Sequence, residues 1–221
     1  MNGESFLVAE FVSNGVPQET VRLVLMLPII ATAIAFIRQI VGMKAFGIYT
    51  PLIVTLAFLA MSEQISDVKY GVVIFISVII IGMITRFILK KFRLLYLPRV
   101  AITLSVVSFF ILLFLIFGGS QQRTGLASVS IFPLLIMIAI VEKFVAAQIE
   151  KGTKKAIVLA FETLLLSLGG FFLANWSFLG LLVTAYPWAV LFTIPFNVFL
   201  GKWPGLRISE LWRFREVIKK M

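Results

Sequence analysis

The chain has 221 residues, 61% of them hydrophobic, and a formal net charge of +10. Its mean hydropathy is +1.08, whereas a soluble domain is about 45–50% apolar, so a globular fold is excluded in favour of a polytopic membrane protein. Cysteine and histidine are both absent, which excludes disulfides, thiolate nucleophiles, Cys/His metal sites and Ser-His-Asp or Cys-His catalysis. No cofactor or metal set is predicted.

Residues 1–19 hold Glu4, Glu10 and Glu19 and no basic residue, the opposite of a signal peptide's positive start. They are read as a short extracytoplasmic segment. Residues 20–201 then predict an all-α, seven-transmembrane helix bundle, a span needing about 20 apolar residues. The spans are Thr20–Val41, Phe46–Met61, Val68–Leu89, Leu97–Phe117, Gly125–Val141, Lys155–Ala174 and Phe178–Leu200. The second is short and has Pro51 near its start, so it either crosses steeply or enters with its first turn unwound. Pro28, Pro133, Pro187 and Pro195 fall inside spans, where each is expected to kink its helix. Glu142–Lys154 is read as a helical extension of the fifth span.

The loop Arg86–Arg99, RFILKKFRLLYLPR, carries five basic residues and no acid. Lysine and arginine resist translocation, so this loop belongs inside. Seven spans then put the N-terminus outside and the C-terminus inside. Seventeen of the 20 basic residues fall on the inner side, and only Arg22, Lys69 and Arg123 fall outside. Basic residues placed between apolar spans point to orientation and anionic lipid rather than nucleic acid. Residues 202–221 form a basic cytoplasmic tail in which Ile208, Leu211 and Trp212 make the apolar stripe of an interfacial amphipathic helix.

Four stretches stand out by their order and spacing: FIRQIVGMKAFGIYTPLIVTLAF at 36–58, LLYLPRVAITLSVV at 94–107, FPLLIMIAIVEKF at 132–144 and GLRISELWRFR at 205–215. Together they resemble the bacterial seven-transmembrane domain usually fused to an inactive transglutaminase-like domain. The resemblance runs from about residue 16 to 217. It implies a multi-pass protein of the bacterial inner membrane, with an extracytoplasmic transglutaminase-like domain before the first span. Only about twenty residues precede that span here, a departure from the usual architecture. The resemblance also implies a neighbouring cytoplasmic ATP-grasp ligase.

Three sets of residues invite a functional reading. Arg38, Arg99, Glu142, Lys143, Arg207, Glu210 and Arg213 fall in these stretches and are expected near the inner surface. They form an ionic cluster that docks a cytoplasmic partner, or else ordinary helix-end charges that snorkel or staple the bundle. Arg99 and Arg207 are the candidate partners of Glu142. Glu162 lies inside the sixth span, where an ionisable side chain marks a cation or proton site, or else a carboxylate hydrogen-bonded within the bundle. GMKAFGIYTP at 42–51 offers carbonyls that line a site, or close packing through small residues. The leading expectation is a non-enzymatic membrane module that anchors an extracytoplasmic domain and couples it to a cytoplasmic partner. The alternative is a small transporter or channel using Glu162 and the proline-broken spans.

Overall fold

The computed structural model describes residues 5–62, 67–92, 94–120 and 131–202, which are mostly helical, with no strand among them. In chain order the helices are α1 (Phe6–Ser13), α2 (Gln18–Phe36), α3 (Tyr49–Met61), α4 (Val68–Leu89), α5 (Tyr96–Ser120), α6 (Ile131–Lys151), α7 (Thr153–Ala174), α8 (Ser177–Ala185) and α9 (Thr193–Gly201). A π turn, Ile37–Val41, ends α2, and a 3₁₀ segment, Pro187–Phe192, joins α8 to α9.

Among the described residues, five stretches are long and apolar enough to cross a membrane: Gln18–Val41, Val68–Leu89, Tyr96–Ile116, Ile131–Lys151 and Thr153–Ala174. The pair Ser177–Ala185 and Pro187–Gly201, bent by 105°, makes a sixth when taken as one broken span. The remaining apolar element, α3, has 13 residues and rises only about 20 Å at 1.5 Å per residue, short of a hydrocarbon core about 30 Å thick. Its approach is unwound. Gly42, Ala45 and Gly47 all have positive φ, at 90°, 42° and 92°, a backbone that cannot propagate a right-handed helix.

The prolines mostly start helices instead of kinking them. Pro51, Pro98 and Pro195 are each the third residue of α3, α5 and α9, and Pro133 is the third described residue of α6. The first-turn N–H groups have no intrahelical acceptor, so a residue without an N–H costs nothing there. Pro195 is therefore a correction to its expected kink, whereas the residues before Ile131 that decide the place of Pro133 lie outside the described residues. Pro28 lies within the continuous α2. Of the four prolines expected to kink a span, Pro187 stands at a break, immediately after the non-helical Tyr186.

The chain divides into two compact units, one of Met1–Lys44 with Gly169–Met221 and one of Ala45–Leu168. In the first, α1 is an element the sequence reading did not anticipate. Ser5 caps it, its Oγ accepting from the Val8 N–H at 3.3 Å, and the Ser5 N–H reaches the Thr184 carbonyl at the end of α8. Met26, Ile30 and Ile34 of α2 are buried at four-residue spacing, the signature of one inward helix face. Asn197 of α9 donates from Nδ2 to Thr32 Oγ1 at 2.7 Å. Arg22 donates from Nη2 to the Ala174 carbonyl at 3.2 Å.

In the second unit α6 is central. Met137, Ile140, Val141, Phe144, Val145 and Gln148 are all buried, and this stripe continues well past Glu142. The helix does the same, running without interruption to Lys151. Phe144, Ala147, Ala156, Leu159 and Ala160 form a core cluster against which Phe46, Ile79 and Met83 pack. Gly71 of α4 receives the ring of Phe58. With lipid as solvent, such close packing replaces the hydrophobic drive between helices.

Candidate functional site

The most developed polar arrangement lies in the second unit, where α7 holds the entry to α3. The Glu162 Oε2 accepts a hydrogen bond from the Ala45 N–H at 2.8 Å. The next N–H, on Phe46, donates to Thr163 Oγ1 at 3.1 Å. These two amides belong to the irregular turn before α3 and have no carbonyl of a preceding helical turn to meet. Adjacent α7 side chains supply the acceptors instead. In hydrocarbon an unsatisfied amide is costly, so the pairing explains why a carboxylate sits about 13 Å along this helix at 1.5 Å per residue. The ring of Phe46 then packs edge-on to Phe144, centroids 6.4 Å apart.

The contact continues one turn deeper. Ser167 Oγ lies 3.1 Å from the Pro51 carbonyl and 2.7 Å from that of Thr163. Thr55 Oγ1 lies 2.9 Å from the Pro51 carbonyl and 3.1 Å from that of Ser167. Thr55, Thr163 and Ser167 are fully buried. Interhelical hydroxyl bonds in membrane bundles average about 0.6 kcal/mol. Both hydroxyls donate to backbone carbonyls, so Ser167→Ala, read by thermal unfolding in detergent, should cost about that much through its bond to Pro51. No loss would mean that this hydroxyl does not hold α3 to α7.

The other residues singled out from sequence are more scattered. Arg38 is half-buried in the π turn of the first unit. Arg99, in the first turn of α5, donates from Nη2 to the Leu94 carbonyl at 2.8 Å, so it closes its own entry loop. Glu142 and Lys143 are exposed on the face of α6 opposite the buried stripe. Among the described residues no ion pair joins Arg99 to Glu142. Arg207, Glu210 and Arg213 lie outside the described residues. No group of three or more Asp or Glu that could hold a metal occurs among the described residues. Sequence reasoning named Thr163 only as a candidate partner of Glu162 and missed Thr55 and Ser167. The signal for Ser167 was its four-residue spacing from Thr163 on one face of an apolar helix.

Apolar helices of spanning length, an unwound span entry and a polar clasp buried between helices define a multi-pass α-helical membrane protein. The chain belongs to the family of seven transmembrane helices usually fused to an inactive transglutaminase, whose model matches residues 8–218. That match takes in all four of the stretches that carried the resemblance. No curated protein and no solved structure matches the chain.

Proposed function

We propose that the chain is a non-enzymatic module of the bacterial inner membrane. It anchors an extracytoplasmic transglutaminase-like domain and couples it to a cytoplasmic partner, an ATP-grasp ligase. In this reading residues 1–19 lie outside, 20–201 form the membrane domain and 202–221 are a cytoplasmic tail. The domain usually fused to this family is inactive, which favours a structural role over a catalytic one. The observation that carries the reading is the engagement of Glu162. Its carboxylate, the group a transporter would expose to a pathway, accepts from a backbone N–H of the same chain. Glu142 and Lys143, in contrast, are exposed and free to meet a partner's charges.

Photo-crosslinkers placed at Lys91 and Glu142 in cells test this. The expected result is one cytoplasmic protein of the ATP-grasp class captured from both positions, with capture from Lys91 lost on Glu142→Lys and kept on Glu162→Gln. Solute or proton flux in proteoliposomes that Glu162→Gln abolishes, with no captured partner, would establish the transporter reading instead.

Orientation is tested independently. The chain has no cysteine, and Lys69 and Lys91 are both exposed. A single cysteine at Lys69 should react with a membrane-impermeant maleimide in intact cells, and one at Lys91 only after permeabilisation. The reverse pattern would invert the topology.

A further inference from the structure

Beside the basic end of α4 lies a cleft of about 450 Å³. Its polar wall consists of Arg86, Lys90, Gln148 and Thr153. Thr153 opens α7. The first bond of that helix runs from the Ala156 N–H to the Gly152 carbonyl, so the N–H groups of residues 153–155 have no acceptor within the helix. A helix start of this kind attracts anions. Gln148 is the independent sign that something is bound here. It is only 2% exposed, it lines the cleft, and its Oε1 has no hydrogen-bond partner among the described residues.

The other wall is apolar, with Met83, Ile84 and Phe87. Met83 also lines a second cavity of about 300 Å³ that runs between α4 and α7. That groove is walled by Ile76, Ile79 and Ile80 on one side and by Ile157, Phe161 and Leu164 on the other. Met83 is thus common to the walls of a charged cleft and a hydrocarbon groove.

We propose that this is a specific site for an anionic glycerophospholipid whose headgroup carries hydroxyls, of the phosphatidylglycerol class. The phosphate lies against Arg86, Lys90 and the start of α7, and an acyl chain follows Met83 into the groove. The Gln148 Oε1 accepts from a headgroup hydroxyl. A phosphodiester offers that oxygen no donor, and an ethanolamine or choline headgroup would bring a positive charge towards two basic side chains. A free phosphate would leave the groove unused.

Native mass spectrometry of the purified full chain, incubated with equal amounts of dioleoylphosphatidylglycerol, dioleoylphosphatidylcholine and dioleoylphosphatidylmethanol, tests the site. Phosphatidylmethanol has the same charge as phosphatidylglycerol and no headgroup hydroxyl. One retained phosphatidylglycerol per chain is expected. Arg86→Gln and Lys90→Gln should each lower its preference over phosphatidylcholine about fivefold, the effect of one basic charge at a membrane surface. Gln148→Leu should bring it down to the level of phosphatidylmethanol. Lys69→Gln and Lys151→Gln, which remove exposed charges outside the cleft, should leave the preference unchanged. An equal fall with those controls, or no preference in the unaltered chain, overturns the proposal. So does displacement of the lipid by millimolar inorganic phosphate, which would make the ligand a free anion. Lys90 is exposed, so its replacement tests the site without disturbing the core.

Discussion

Glu162→Ala should lower stability by about 1.5–3 kcal/mol, the contribution of a hydrogen bond to a charged group together with the cost of stranding its partner. One such partner is the Ala45 N–H, on a residue only 6% exposed. Alanine leaves that amide with no acceptor at a point where the backbone has already left the helical path. Glu162→Gln keeps an oxygen in the same place and loses only the charge assistance, so its cost should be about half as large. The measurement is the thermal unfolding midpoint in detergent of the two variants beside the parent. Equal losses for glutamine and alanine would mean that the charge, and not the bond to Ala45, is what matters. No loss for either would detach Glu162 from the turn altogether.

Gly71→Ala should be comparably damaging for a different reason. A methyl group built at Gly71 would stand 2.6 Å from Cδ1 and 3.1 Å from Cε1 of Phe58. That ring is fully buried on α3, so it has no open space into which to swing. Overpacking of this kind costs about 1–3 kcal/mol, because side chains leave their rotamers and helices shift apart. Gly71→Val should cost more. Gly180→Ala in the first unit is the instructive contrast. Its methyl would stand 2.8 Å from the Arg22 guanidinium, the far end of a flexible side chain, which can move away at the price of its bond to the Ala174 carbonyl. Unfolding midpoints should fall clearly more for Gly71→Ala than for Gly180→Ala. The reverse order would show that the α3–α4 contact yields more readily than its geometry implies.

Glu162 shows both what a sequence reading reaches and where it stops. An ionisable residue in an apolar helix is conspicuous, and the two readings open for it were a ligand site and an internal hydrogen bond. The choice between them depends on a residue 117 positions away, and no local pattern reveals such a pairing. Gln148 drew no reading from the sequence. It follows Met137, Val141 and Phe144 at helical spacing and so belongs to the buried stripe, but polarity makes it look like the solvated end of α6. Pro195 was misjudged because composition reports a proline's presence and not its position within a turn. A proline in the first turn of a helix and one in its middle look alike until the helix start is known.

Apolar composition, the lengths of the hydrophobic runs and the order of four stretches were enough to determine the class of the chain and its family. These properties are local or additive, since each span must satisfy its own backbone in lipid whatever its neighbours do. Helix packing decided the rest: the unwound entry to α3, the bonds from Glu162 and Thr163 that hold it, and the cleft at Arg86 and Gln148 with its apolar groove. Each of these is a meeting of elements distant in sequence. Backbone amides, small side chains and voids meet there at distances of a few ångströms, and such distances exist only once the helices are packed.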